Sequence, residues 1–303
     1  MQELLDRLVK DNIKYTKLGR LANYIPELSK AKLDALGVCV IDKDYNVFCS
    51  GDSELRFSIQ SVSKIVTLML ALLDNDYEYV FSKVGVEPTG DAFNSIMKLE
   101  TSNNKKPFNP MINAGAIAVA SMIKGKNAEE RFNRALEFFR LITDDNEASL
   151  STKIYESENK TGNKNRALAY FMKNDGIISG DVEVALEVYF KQCSILANTK
   201  SLAKLGLFLA NDGLKDGKQI VSKKIARTIK SLMLTCGTYD LSGEIAVRVG
   251  LPCKSGVGGG MVSLVPREFG IGVYGPALDS KGNSIGGVRI LEGLSKALDL
   301  SIF

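Results

Sequence analysis

The 303-residue chain contains no histidine and no tryptophan. The missing imidazole removes the side chain whose ordinary pKa lies nearest neutrality, and with it any Ser-His-Asp triad or His-based zinc motif. A nucleophilic serine here must give its proton to a lysine or a tyrosine. The five cysteines (Cys39, Cys49, Cys193, Cys236 and Cys253) are odd in number and none has Cys-x-x-Cys spacing. They are expected to be reduced, mostly buried thiols, and a cysteine nucleophile lacks its usual base. Apolar runs long enough to span a membrane are missing. The opening residues MQELLDRLVKDNIKYTKLG carry acids where a signal peptide would be apolar. A cytoplasmic protein without membrane contact is therefore expected. A net charge of +4 with no Lys/Arg block leaves nucleic acid without its footprint.

What remains is an ordinary globular composition, 45% apolar and 24% charged, long enough for one large domain or two joined lobes. Leu4, Leu5, Leu8 and Ile13 recur at helical spacing over residues 1–17. The runs 37–41 and 47–49 flank a polar turn and read as a β-hairpin. The apolar stretch from Ser61 to Leu73 is too long for an exposed strand and predicts a buried helix. Helix-period residues recur at about 113–123, 128–142, 181–193, 199–211, 222–234 and 240–249. Strand-like runs then return at 261–265 and 269–274, and a helix closes the chain near 286–299. The order implies an α/β (α+β) fold: a discontinuous antiparallel sheet, flanked by helices, with a helical insertion. The sheet part is expected at about 1–60 and 251–303, the helical part at about 61–250, in a single domain spanning 1–303. No internal repeat or flexible linker is visible.

Seven Ser-x-x-Lys tetrads occur, beginning at Ser29, Ser61, Ser95, Ser102, Ser121, Ser157 and Ser201. Only Ser61-Val62-Ser63-Lys64 follows a predicted strand pair and opens an apolar helix. Residues three apart share a helix face, so Lys64 can reach the Ser61 hydroxyl. An apolar surround would lower the lysine pKa and free its amine as a base. A plain helix N-cap accounts for Ser61 equally well at this level. Two Lys-Ser/Thr-Gly triplets follow. Lys160-Thr161-Gly162 sits in a stretch that reads as a polar loop, whereas Lys254-Ser255-Gly256 leads through glycines into a strand, so Lys254 is preferred. A backbone N–H there, with that of Ser61, could form an oxyanion hole. Tyr189, on the helix predicted over 181–193, could ionise more readily beside lysines, although core packing accounts for it by itself.

The surrounding words are more specific. They include Asn23-Tyr24-Ile25-Pro26-Glu27-Leu28, Phe57 to Lys64, Val84 to Gly90, Asn109 to Ile117, Ser157-Glu158, Asn165 to Tyr170 and Leu234 to Asp240. From about Tyr24 to the last helix, the chain resembles the serine-dependent glutaminases, which share the β-lactamase/transpeptidase-like fold. The resemblance implies hydrolysis of L-glutamine to L-glutamate and ammonia, without cofactor or metal. It implies Ser61 as nucleophile and Lys64 and Tyr189 as proton carriers. The backbone N–H groups of Ser61 and Val257 become the oxyanion donors. Tyr24, Asn113, Glu158, Asn165, Tyr189 and Tyr239 become substrate contacts, and Lys254 a supporting residue. A homodimer or homotetramer is implied as well. Thr89 and Asn23 stand where the family commonly has serine and aspartate, and Val62 where it has isoleucine; none of these removes a needed group. A β-lactamase or penicillin-binding hydrolase, or a non-catalytic glutamine sensor on the same fold, are the alternatives.

Overall fold

Strands from the two ends of the chain meet in one sheet. The structure, a computed structural model, describes residues 1–90 and 106–303; the tetrads at Ser95 and Ser102 lie outside the described residues. Helix α1 (Gln2–Asn12) tightens into a 3₁₀ segment, Ile13–Leu18. The predicted hairpin follows as β1 (Gly37–Asp42) and β2 (Val47–Gly51). Near the C-terminus come β8 (Cys253–Ser255), β9 (Gly260–Val265) and β10 (Phe269–Tyr274). Among the described residues the main sheet is antiparallel, in the order β2-β1-β10-β9-β8. The triplet Lys254-Ser255-Gly256 thus has an edge strand of its own, paired with β9.

Alternation along these strands feeds two cores. Val38, Val40, Met261, Ile271 and Val273 point to one face, against α1 and the closing helix α12 (Ile285–Leu298). Cys39, Ile41, Val262, Leu264 and Tyr274 point to the other, into the large helical core. On that second face Gly270 and Gly272 leave a notch. A Cβ on Gly270 would strike the backbone of Ala203 and Leu207, and one on Gly272 that of Thr199 and Ala203. Helix α9 (Thr199–Ala210) fills the notch and presents its own Gly206 to β10. A helix from the middle of the chain is thereby seated directly on the sheet.

The described helical part contains α2 (Ser63–Asp74), α3 (Tyr77–Lys83), α4 (Asn113–Met122) and α5 (Ala128–Thr143). It continues through α6 (Thr152–Thr161), α7 (Asn163–Asn174) and α8 (Val182–Cys193) to α9. After α9 come α10 (Lys223–Cys236) and α11 (Ser242–Arg248). A small sheet of β3 (Phe57–Ser58), β5 (Ile195–Ala197) and β4 (Ser149–Leu150) ties the start of α2 to the end of α8. A two-stranded ribbon, β6 (Leu214–Lys215) and β7 (Lys218–Gln219), caps α9.

Two expectations are corrected. The stretch around Lys160 is not a loop: α6 and α7 run through it with one break at Gly162, where a side chain would strike Phe190. Nor are all five cysteines free. The β1–β2 register sets Cys39 opposite Cys49, and they form a disulfide. Cys193, Cys236 and Cys253 are free and buried. No helix among the described residues is long and apolar enough to cross a membrane.

Candidate active site

Ser61 lies in a 3₁₀ turn, Gln60–Val62, between β3 and α2, and is 6% exposed. Gln60, just before it, has a left-handed backbone (φ 44°), uncommon for a residue with a side chain. The Gln60 amide holds that turn by donating to Ser58 Oγ at 2.8 Å and to the Cys193 carbonyl at 3.2 Å. Val62, not Ser61, is the N-cap of α2, and no side chain caps that end. The N-cap explanation of Ser61 therefore fails.

Lys64, on the first turn of α2, is 1% exposed. Its Nζ donates to the Met111 carbonyl at 3.0 Å and to Asn113 Oδ1 at 2.9 Å. Burial pushes its pKa down to about 8, against partial opposition from Cys193 and Glu158. Asn113 opens α4, and its amide donates to Asn165 Oδ1 on α7 at 3.0 Å. Upstream, Asn109 Oδ1 accepts from the N–H groups of Met111 and Ile112, which shapes the turn that turns the Met111 carbonyl toward Lys64.

Glu158 on α6 is 5% exposed, and its Oε2 has no hydrogen-bond partner. Burial pushes its pKa up to about 8, although Gln60 and Lys64 pull it back. Tyr24 is half exposed (50%), yet its hydroxyl end lies within electrostatic reach of Glu158 and Tyr239. Burial and then Glu158 hold that phenol well above its usual pKa.

Two phenols take different places. Tyr189 on α8 lies with its ring centroid 5.9 Å from Lys64 Nζ, and its hydroxyl bonds the Cys193 thiol. The expectation that it ionises readily beside lysines is corrected: burial, Cys193 and Glu158 raise its pKa well above the ordinary value. Tyr239, in the 3₁₀ turn after α10, has a left-handed backbone (φ 61°). Its hydroxyl donates to the Ser255 carbonyl at 3.1 Å, and the Ser61 side chain beside it pulls the phenol's pKa down against the effect of burial. No spacing in the sequence foretold that this phenol lies beside Ser61.

The β8–β9 turn closes the site. A Cβ on Gly256 would meet the Ile59 carbonyl and the Ser61 N–H, so this turn packs against the Ser61 turn without room for a side chain. Val257 sits next to Gly256, packed with Tyr239, Ile25, Leu28 and Leu278. Among the described residues, neither the Ser61 nor the Val257 N–H donates to a backbone acceptor. Lys254 is fully buried, whereas Lys160 is exposed. No group of three acids or thiols among the described residues could hold a metal ion.

The serines of the other described tetrads are bonded elsewhere in the fold. Ser29 and Ser121 donate to carbonyls three residues back, Ser157 accepts from the Glu27 N–H, and Ser201 donates to Asp145.

Residues 19–303 match the family model described as Glutaminase. The chain belongs to the glutaminase family. It is 60% identical over 304 residues to a glutaminase of Fusobacterium nucleatum, covering 100% of both chains. It superposes on the crystal structure of a probable Bacillus subtilis glutaminase with a TM-score of 0.94 at 38% identity, covering 100% of this chain and 97% of that one. A second Bacillus subtilis glutaminase structure is the covalent complex with 5-oxo-L-norleucine formed by reaction with 6-diazo-5-oxo-L-norleucine. That one is 37% identical, with a TM-score of 0.92 and coverage of 100% and 99%. The mixed α/β fold of this glutaminase is the β-lactamase-like one expected from its motifs.

Proposed function

We propose that this chain hydrolyses L-glutamine to L-glutamate and ammonia through a γ-glutamyl ester on Ser61. The observation that carries the reading is a buried carboxylate with an open oxygen, Glu158 Oε2, in one centre with Ser61 and Lys64. A free amino acid supplies the cation that this carboxylate lacks. Asn113, Asn165 and the Tyr24 phenol can donate to its carboxylate, while the phenols of Tyr189 and Tyr239 serve the reacting end. With both charges fixed at one end, the side-chain amide is held at Ser61. A relative that reacts covalently with 6-diazo-5-oxo-L-norleucine supports the same assignment. The ketone of that compound stands where glutamine has its amide carbonyl.

Lys64 is set up as the base. A neutral amine has two hydrogens, and two acceptors, Met111 O and Asn113 Oδ1, are in place for them. Its lone pair is left to take the Ser61 proton as Oγ adds to the amide carbon. The new oxyanion accepts from the Ser61 and Val257 N–H groups. When the C–N bond breaks, the leaving nitrogen takes a proton from the Tyr189 hydroxyl. Lys64 restores that proton to the phenol, so ammonia leaves neutral. The raised pKa of this phenol keeps its proton in place until the nitrogen departs. Water then adds to the ester, giving its proton to Lys64. The amine returns it to Ser61 Oγ as glutamate departs.

Residues 1–303 act as one glutaminase domain in this reading, with a sheet lobe at about 1–60 and 251–303 and a helical lobe at about 61–250. A cytoplasmic location is part of this reading, a homodimer or homotetramer rests on the family resemblance, and light scattering on the purified chain tests the assembly. The deciding experiment is ammonia release from glutamine and asparagine side by side. Turnover of glutamine supports the reading; binding of glutamine without ammonia release would leave a sensor.

A further inference from the structure

The scheme above leaves one buried amine without a task. Lys254 is fully enclosed on the edge strand β8. Its Nζ meets a carbonyl and a ring: it donates to the Ser255 carbonyl at 2.5 Å and lies 4.8 Å from the centroid of the Tyr239 ring. The Tyr239 hydroxyl donates to the same Ser255 carbonyl. Amine and phenol thus converge on one acceptor, one peptide away from the Gly256 that packs on the Ser61 N–H.

We propose that Lys254 is a positioning residue for Tyr239. It supports the ring and shares the Ser255 carbonyl, so that the phenol O–H stays on that carbonyl and its lone pair faces the Ser61 hydroxyl. The inference rests on Ser61 being the nucleophile, as proposed above.

Tyr239 needs such support because its backbone is left-handed, a conformation that persists only where the surroundings impose it. The Ser255 carbonyl is a fixed reference. The Ser255 N–H donates to the Gly237 carbonyl at 3.1 Å, and its hydroxyl donates to Asn283 Oδ1 at 2.6 Å. Asn283 in turn donates to the Thr238 carbonyl at 3.3 Å, next to Tyr239 itself. Strand, turn and phenol form a closed ring of bonds, in which only the tilt of the aromatic plane is left to a side chain beneath it. A leucine or methionine there could fill space but could not donate to the carbonyl. Burial, and then the nearness of Lys64, push the Lys254 amine well below the usual lysine range.

The test is a double-mutant cycle on the full chain: Lys254→Met, Tyr239→Phe and the pair together. Glutamine kinetics, the rate of covalent labelling by 6-diazo-5-oxo-L-norleucine, and thermal melting are followed. Lys254→Met is expected to lower kcat and the labelling rate about 10- to 100-fold, the scale for a misplaced catalytic group, with KM little changed. The double variant should be no slower than Tyr239→Phe alone. Additive losses, an unaltered kcat, or a rise in KM matching the fall in kcat would each overturn the inference. Should Lys254→Met melt below the assay temperature, Lys254→Gln enters the same cycle. Wild-type ammonia release is read first: its absence sinks the proposed function, whereas additivity with an active wild type sinks only the role of Lys254.

Discussion

Asp74 and Lys215, away from the centre of this molecule, sit in ion pairs, whereas Lys64 and Glu158 at its centre do not come within ion-pair distance of one another. Asp74 receives both terminal nitrogens of Arg134 at 2.6 Å. Burial pushes the Asp74 carboxyl up, but Arg134 and the Lys124 N–H outweigh it and hold the group below its ordinary pKa. Lys215 is likewise pushed down by burial yet ends above its ordinary value, held by Asp144 and Asp216. At the centre the same residue types go the other way. Lys64 falls and Glu158 rises until both lie at about 8. Withdrawal of water without a matched counter-ion explains the contrast. It leaves an amine and a carboxyl whose protons can move near neutral pH, where acid–base chemistry is most effective.

The sharpest way to break the comparison is Ser61→Ala. It should lower kcat for ammonia release by about 10⁴-fold or more, while calorimetry finds glutamine binding largely intact. Equal loss of both would make the serine structural. Next in size is Glu158→Gln, which removes the buried acid of α6 proposed to meet the substrate ammonium. A buried pair broken on one side costs about 3–5 kcal/mol, so KM should rise by two orders of magnitude or more. An unmoved KM would take Glu158 out of the site.

The pH response sharpens the same contrast. Turnover should rise as Lys64 gives up its proton through about pH 8, and a flat profile would exclude a lysine base. Stability moves with definite sign. Because the folded pKa of Glu158 is raised, its contribution is intact below the unfolded value and fades as pH climbs toward 8. Lys64 is lowered, so stability is regained above pH 8, where the buried amine is neutral while the unfolded chain still holds the proton. Glu158→Gln should therefore raise Tm at pH 8, by about 4 °C on the usual scale, and change it little at pH 4. The reverse ordering would refute the desolvated carboxyl. Smallest is Arg134→Ala on the surface. It should lower stability by about 1 kcal/mol with kcat/KM unaltered, and a loss of activity there would show that outside and centre are coupled.

Much of this was legible in the chain. Long periodic segments such as α2, α5 and α9 declared themselves, and so did the hairpin and the strands β9 and β10. The helices α6 and α7 did not, because all nine residues from Ser157 to Asn165 are polar or glycine, a composition that also suits a loop. Their buried face consists of a few residues, among them Glu158, Leu168, Ala169 and Met172. Two-residue strands such as β3 and β4 carry too little pattern to be seen at all. Motifs located Ser61, Lys64 and Lys254, but the partnership of Ser61 with Tyr239 depends on a left-handed turn that no spacing foretells. The Cys39–Cys49 pair had a similar cause: it follows from strand register, once β1 and β2 are aligned.

The glycine notch on β10 bears on how the molecule admits its substrate. With α9 set backbone to backbone on the sheet through Gly206, Gly270 and Gly272, the middle of the chain is clamped to its ends at a seam that leaves no slack for sliding. A clamshell opening would have to pry that seam apart. Traffic to and from the serine is better served by a doorway than by a jaw, and the half-exposed Tyr24 stands at its threshold.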